Sequence, residues 1–200
     1  MIRKTGTDKA MARRSSARGF SMLEVLIATV ILSFGLLGTV GMQAAALKFN
    51  REARLQSVAT TLAVELGEMM RGNKTIALRT SSNPYLGSFS SPLRAASPNH
   101  CLDAGSSCAN NEDIAHAQMT DWLGRVDSLL PGAKVVVCFD DGPFDTNGIP
   151  RWNCPSSGKQ IVVKIGWTKS GTDPSATGNA AFDRATKPSA VVSFFPGDAP

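Results

Sequence analysis

The hydrophobic pattern of the chain divides into an uninterrupted apolar run near the N-terminus and a longer, mixed remainder. No charged residue occurs between Glu24 and Lys48, and a run of that length is sufficient for a helix that crosses a bilayer. Gly72-Asn73 is a helix stop signal. Between Lys48 and that stop, apolar residues recur at helical spacing: Leu55, Val58, Ala59, Leu62, Leu66 and Met69. We therefore predict a single helix over about 21–71.

A second helix is predicted in the middle of the chain. Residues 80–111 are rich in Ser, Asn, Pro and Gly and lack periodicity, which is typical of a surface loop. Residues 112–130 then trace one apolar helical face through Ala115, Met119, Trp122, Leu123, Val126 and Leu130. Asn110 with Asp113 resembles a helix cap, and Pro131-Gly132 ends the run.

Three strand-like runs follow this second helix. They are Lys134–Phe139, Gln160–Thr168 and Ser189–Phe195. In the second run, apolar residues alternate with Gln160, Lys164 and Thr168, which is the pattern of a half-buried strand. The simplest arrangement is an antiparallel sheet packed on the outer half of the long helix, which gives an α+β fold.

The net charge of +5 belongs to the N-terminal segment. Residues 1–19 carry Arg3, Lys4, Lys9, Arg13, Arg14 and Arg18 against the single acid Asp8, and the remainder has 15 basic and 15 acidic residues. A basic segment before an apolar run is a topology signal, so it predicts a cytoplasmic N-terminus and a head on the other side of the membrane. Nothing in this distribution requires a nucleic-acid partner.

The apolar run differs from an ordinary secretory signal because no small-residue cleavage site follows it. Instead, Gly19, Phe20 and Glu24 stand at its beginning. A cut after Gly19 would remove the basic leader, keep the helix and create a free amine on Phe20. A carboxylate in an apolar helix costs about 2.5–3.5 kcal/mol on insertion scales, so it normally has a partner. We predict that Glu24 neutralises such an amine on a neighbouring subunit; the alternative is a Glu24 that reaches interfacial water.

These residues carry a resemblance to a known family. The segment Gly19-Phe20-Ser21-Met22-Leu23-Glu24-Val25-Leu26-Ile27-Ala28 resembles the prepilin signature of type IV pilins and type II secretion pseudopilins. The resemblance implies that a membrane prepilin peptidase cuts after Gly19 and methylates the amine of Phe20. It also implies that Glu24 guides docking into a filament.

Further along, the resemblance is to one group of minor pilins, the type IV pilus modification proteins called PilV. It is carried by Gly35-Leu36-Leu37-Gly38, by Gly41-Met42-Gln43-Ala44-Ala45-Ala46-Leu47 and by Met70-Arg71-Gly72-Asn73. It implies a type IV pilin fold with a leader (1–19), a transmembrane or filament-stem half-helix (20–47) and a periplasmic globular head (48–200). Two departures from major pilins are a long leader, which initiation at Met11 would shorten, and Gly41 where a proline is common.

Four cysteines lie in the predicted head, on the oxidising side of the membrane where disulfides persist. Four cysteines allow three pairings, and proximity along the chain favours Cys101–Cys108 and Cys138–Cys154. A zinc site with added histidines (His100, His116) is the rival, but no C-x₂-C pair is present. We predict two disulfide-stapled loops and no metal.

Other candidate chemistry is weak. Asp140, Asp141, Asp145 and Asn147 surround Gly142-Pro143, but their register does not match a calcium loop, which favours a solvated turn. No nucleophile elbow, H-E-x-x-H motif or phosphate-binding glycine loop is present, so we expect neither catalysis nor a cofactor. Trp122 and Trp167 fall on apolar faces and are predicted to be core residues, whereas Trp152 is the candidate for contact with a partner.

The favoured hypothesis is a minor pilin that is stored in the bacterial inner membrane and then joins or primes a type IV pilus, a filament of surface adhesion and twitching motility. The resemblance implies a prepilin peptidase, other major and minor pilins and a pilus assembly platform as partners. Two alternatives stay open. One is a type II secretion pseudopilin, and the other is a single-span anchored periplasmic binding or adhesion protein that never polymerises.

Overall fold

The long predicted helix is present as α1, Met22–Gly72, with 51 residues. The structure is a computed structural model that describes residues 19–171 and 182–197, so the predicted leader before Gly19 lies outside the described residues. Ser21 precedes α1, and its Oγ accepts a hydrogen bond of 3.3 Å from the Leu23 N–H. This satisfies one of the N–H groups that a helix start leaves without an internal partner.

The chain divides into two compact units, Met1–Leu47 and Lys48–Pro200. In the described part of the first unit, α1 exposes every side chain to its surroundings. Within the part of the chain that the structure describes, α1 is the single helix that is long and apolar enough to cross a membrane. The second unit contains the remaining elements and a hydrophobic core of its own.

The second unit combines two further helices with six strands among its described residues. The helices are α2, Lys74–Ala77, and α3, Asn111–Leu129. The strands are β1, Gly87–Ser90; β2, Lys134–Phe139; β3, Ile161–Gly166; β4, Lys169–Ser170; β5, Phe182–Asp183; and β6, Ala190–Phe194. A four-stranded sheet has the order β1-β2-β3-β6, and β4 pairs with β5 separately.

Every neighbouring pair in the four-stranded sheet is antiparallel, as the sequence predicted. Val163 in β3 lies opposite Val137 of β2 on one side and Val192 of β6 on the other. The core lies between this sheet, the second half of α1 and α3. Trp122 of α3 is fully buried and donates its Nε1–H to the Leu62 carbonyl of α1 at 2.8 Å. This contact joins the two helices at the centre of the head.

Two expectations about the strands were wrong. Strand β1 lies inside the segment 80–111 that was predicted to be entirely loop. Its sequence, Gly-Ser-Phe-Ser, offers one apolar side chain, and it is held as an edge strand by pairing with β2. Strand β3 is buried at all six positions, whereas alternation predicted one solvent-facing side. The loop between β2 and β3 covers the second face of the sheet. The pattern of residues within a strand does not show whether a loop packs over it.

Candidate functional site

The predicted cleavage junction is exposed backbone that precedes the helix. Gly19 and Phe20 both lie outside α1, and Phe20 is 82% exposed. A Cβ at Gly19 would meet no other atom within 4 Å. An exposed junction without regular structure suits proteolysis, because a protease must bind the chain on both sides of the bond.

Glu24 lies in the first turn of α1, at a position where a negative charge interacts favourably with the helix dipole. Its backbone N–H donates to the Ser21 carbonyl at 3.0 Å. Among the described residues its carboxylate forms neither an ion pair nor a side-chain hydrogen bond, and the side chain is exposed. The described residues therefore supply no cation for this carboxylate.

The rest of the first unit presents an apolar surface whose polar groups are satisfied within the helix. Large apolar side chains are exposed along it, including Leu26, Ile31, Phe34, Leu37 and Met42. The hydroxyls of Thr29, Ser33 and Thr39 donate to helix carbonyls three or four residues earlier, at 2.7–2.9 Å. Internal hydrogen bonds of this kind are what a segment in hydrocarbon needs, because no water is available there.

The structure pairs Cys101 with Cys108 and Cys138 with Cys154, the two pairs that proximity along the chain favoured. Their Cα atoms are 4.8 and 6.3 Å apart, within the usual range for disulfides. The histidines of the rival zinc hypothesis do not join a cysteine pair: His100 Nδ1 lies 3.6 Å from the Asp103 carboxylate. Cys138, Asp140 and Cys154 do lie close together, but both sulfurs are in the disulfide.

Asp140 forms a buried ion pair with Lys164 of β3. The Lys164 Nζ is 2.6 Å from Asp140 Oδ2, and the two side chains are 0% and 1% exposed. The same ammonium donates to the Asn153 carbonyl at 2.5 Å. Asp140 was predicted to belong to a solvated turn and Lys164 to the open face of a strand, and both expectations were wrong. The cause is the covering loop 140–158, called the strap below.

Inside the strap, carboxylates bind backbone N–H groups. Asp141 Oδ1 accepts from Lys159 and Gln160, and Asp145 Oδ1 accepts from Asn147 and Ile149. These bonds are 2.8–3.3 Å long. Asp side chains commonly stabilise turns through such hydrogen bonds to backbone N–H groups. The carboxylates that a calcium loop would need therefore stabilise the strap itself.

Trp152 also belongs to the strap, and it is half-buried against the sheet. A Cβ at Gly166 would come within 2.9 Å of the Trp152 ring, so the glycine permits this close approach. The Trp152 Nε1–H donates to the Ala185 carbonyl at 3.2 Å, and the Lys134 ammonium lies 4.6 Å from the ring centroid. Trp152 therefore packs within the head, whereas the sequence suggested a partner contact. Trp122 and Trp167 are core residues, as predicted.

A buried polar cluster that sequence reasoning missed lies where α1 ends. The Asn73 Nδ2 group donates to Tyr85 Oη at 3.2 Å and to the Asn111 carbonyl at 2.7 Å. Tyr85 Oη donates to Gln118 Oε1 at 2.5 Å. Burial raises the pKa of Tyr85 above its usual value, against the opposing hydrogen bond from Asn73. The one sequence signal was the single tyrosine of the chain, which lies in a segment otherwise resembling open loop.

Comparison with known proteins places the predicted cleavage junction inside a recognised motif. Residues 14–40 match the family model described as the prokaryotic N-terminal methylation motif, and this range contains Gly19, Phe20 and Glu24. Comparisons with curated proteins and with solved structures gave no match. The motif indicates a precursor like those of type IV pilins and pseudopilins, and together with the apolar helix that follows it fits a membrane-anchored, single-pass protein. The motif also implies processing by a prepilin peptidase.

Proposed function

We propose that this protein is a minor pilin, similar to the PilV group, that joins or primes a type IV pilus after leader cleavage and N-methylation of Phe20. The observation that carries the proposal is the methylation motif at 14–40 combined with an unpartnered Glu24 in the first turn of α1. The role is structural, with neither a catalytic site nor a cofactor. The head lies in the periplasm before assembly and on the cell surface afterwards.

The proposed assembly step is the transfer of the apolar half of α1 from lipid into a bundle of like helices. Hydrocarbon tails are as apolar as leucine, so this transfer gains little from the hydrophobic effect. Close helix packing and electrostatics must then supply the preference for the filament. Two unit charges 4 Å apart attract by about 4 kcal/mol at the effective dielectric typical near a protein surface. Pairing of Glu24 with the Phe20 amine of a neighbour supplies such a term and fixes the axial register.

The proposed partners follow from this cycle. A prepilin peptidase removes the leader, the inner membrane holds the subunit, and an assembly platform inserts it beside other major and minor pilins. Nucleic acid is not required at any of these steps.

Co-purification with sheared surface pili tests the proposal. We expect the chain in the pilus fraction, with a mature N-terminal peptide that begins at Phe20 and carries one added methyl group by mass spectrometry. A chain that stays in the membrane fraction with its arginine-rich leader intact would contradict the proposal and support a simple anchored periplasmic protein.

A type II secretion pseudopilin is the second candidate, because pseudopilins carry the same kind of methylation motif. Deletion of the gene separates the two functions. Loss of surface pili and twitching with normal secretion supports the minor pilin, whereas loss of secreted exoproteins with normal pili supports the pseudopilin.

A further inference from the structure

Three cations follow the uncharged part of α1 at the start of the second unit. They are Lys48, Arg51 and Arg54, called the basic collar below. The 23 uncharged residues between Glu24 and Lys48 extend about 35 Å as a helix, at about 1.5 Å per residue. The hydrocarbon core of a bilayer is about 30 Å thick, and about 40–45 Å with its headgroups. In a membrane-stored subunit the collar therefore lies at headgroup depth, an inference that rests on the proposed function.

The collar is available to a ligand. All three side chains are exposed, and their spacing of three residues places successive members on adjoining parts of the helix surface. Lys48 Nζ donates to the Gly171 carbonyl at 3.4 Å, which leaves its charge without a counter-ion in the described structure. Among the described residues Arg51 and Arg54 form no ion pair.

The one acidic residue within this stretch does not cancel the collar. Glu52 Oε1 lies 2.5 Å from the Lys169 ammonium of β4, so its charge is already balanced within the head. Lys48, Arg51, Glu52 and Lys169 contribute to the lining of a shallow depression of about 220 Å³. Phe49 lies beside it and is 73% exposed, which suits an aromatic residue at a membrane interface.

From these observations we propose that the basic collar binds the headgroups of anionic phospholipids while the subunit is stored in the membrane. Guanidinium groups donate two parallel hydrogen bonds to a phosphate, and Arg51 and Arg54 are both exposed residues. A zwitterionic lipid carries its own cation and competes poorly for the same site. The collar thus ties the head to anionic lipid, and entry into a filament replaces those contacts.

Native mass spectrometry of the full-length protein in detergent tests the proposal. The probe is an equimolar mixture of phosphatidylglycerol and phosphatidylcholine with identical acyl chains, and the readout is the ratio of the two bound lipids. Each cation near an anionic surface contributes about 1 kcal/mol, or roughly fivefold. We expect the wild-type protein to prefer phosphatidylglycerol, and the double variant Arg51→Gln/Arg54→Gln to lose roughly 25-fold of that preference.

The matched control is Arg94→Gln/Lys159→Gln, which removes two exposed charges elsewhere in the head and should keep the wild-type ratio. An equal loss in this control, or equal binding of both lipids by the wild type, would overturn the proposal. A collar variant that retains its lipid preference but no longer enters pili would also overturn it, in favour of a contact between subunits. The N-terminal peptide of the same preparation shows whether the leader has been cleaved. An uncleaved leader would contradict the proposed function, whereas the lipid ratio tests the basic collar alone.

Discussion

At the scale of single residues, Glu24 carries the most specific expectation. Replacing it with glutamine keeps the size and removes the charge, while the junction between Gly19 and Phe20 is unchanged. We expect Glu24→Gln to be cleaved and methylated normally but to be at least tenfold depleted in sheared pili, since the loss of about 1.4 kcal/mol already corresponds to tenfold. Quantitative mass spectrometry of the membrane and pilus fractions measures both effects.

The matched variant for this test is Glu24→Asp, which retains the carboxylate on a shorter side chain. It should be incorporated better than Glu24→Gln. Wild-type levels of Glu24→Gln in pili would show that the charge has no role in assembly.

Tyr85 permits a second residue-scale test, because it is the single tyrosine in the chain. Burial raises its pKa in the folded protein, so its contribution to stability is complete below the unfolded-state pKa of about 10. That contribution is lost as the pH rises through the folded-state pKa. We expect tyrosinate absorbance near 295 nm to appear at higher pH in the folded protein than in denaturant.

Tyr85→Phe is the control for this titration, because the variant contains no tyrosine and should show no tyrosinate absorbance. It should also lower the free energy of unfolding, since Asn73 and Gln118 lose a buried hydrogen-bond partner, at about 1–3 kcal/mol. A titration midpoint in the folded protein equal to that in denaturant would contradict the buried cluster.

At the scale of elements, the amphipathic helices were predictable and the covering of the sheet was not. The apolar spacing gave 21–71 for a helix observed at Met22–Gly72, and 112–130 for one observed at Asn111–Leu129. These patterns are local, so the sequence reports them directly. Burial of Lys164 depends on the strap, the connection between β2 and β3, which places Asp140 and the Asn153 carbonyl against the Lys164 ammonium group. Such a contact leaves no periodic pattern in the sequence. The methylation motif could be recognised because its residues are consecutive, whereas the polar cluster around Tyr85 joins residues that are far apart in the sequence.

The Lys164–Asp140 pair connects the strap to β3, and its energetics can be separated by mutation. Lys164→Met should destabilise the head by about 3–5 kcal/mol, because it leaves the Asp140 carboxylate buried and uncompensated. The double variant Lys164→Met/Asp140→Leu should recover much of this loss, since an apolar pair of similar volume often replaces a buried ion pair. Chemical unfolding of the full-length protein in detergent, followed by tryptophan fluorescence, measures the difference.

Lys159→Met is the control for this comparison, because Lys159 is an exposed lysine that directly follows the strap. It should change the free energy of unfolding by less than about 0.5 kcal/mol. A double variant no more stable than Lys164→Met would mean that the pair contributes more than charge compensation.

At the scale of the whole molecule, the two units carry separable properties. The second unit, Lys48–Pro200, holds the hydrophobic core and both disulfides. The first contributes exposed apolar surface and contains the predicted cleavage junction. The core residues of α1, from Ala59 to Met70, all belong to the second unit, so removal of the preceding residues takes nothing from that core.

Exporting residues 48–200 to the periplasm without the stem tests this division. We expect a folded head with both disulfides formed and a cooperative thermal transition, because every buried contact of the core lies within this unit. We also expect it to be absent from sheared pili, since it lacks Phe20, Glu24 and the apolar surface of α1. A truncated head that entered pili normally would assign assembly to contacts between heads. A head that failed to fold would mean that the stem contributes to the stability of the second unit, although the core contains none of its residues.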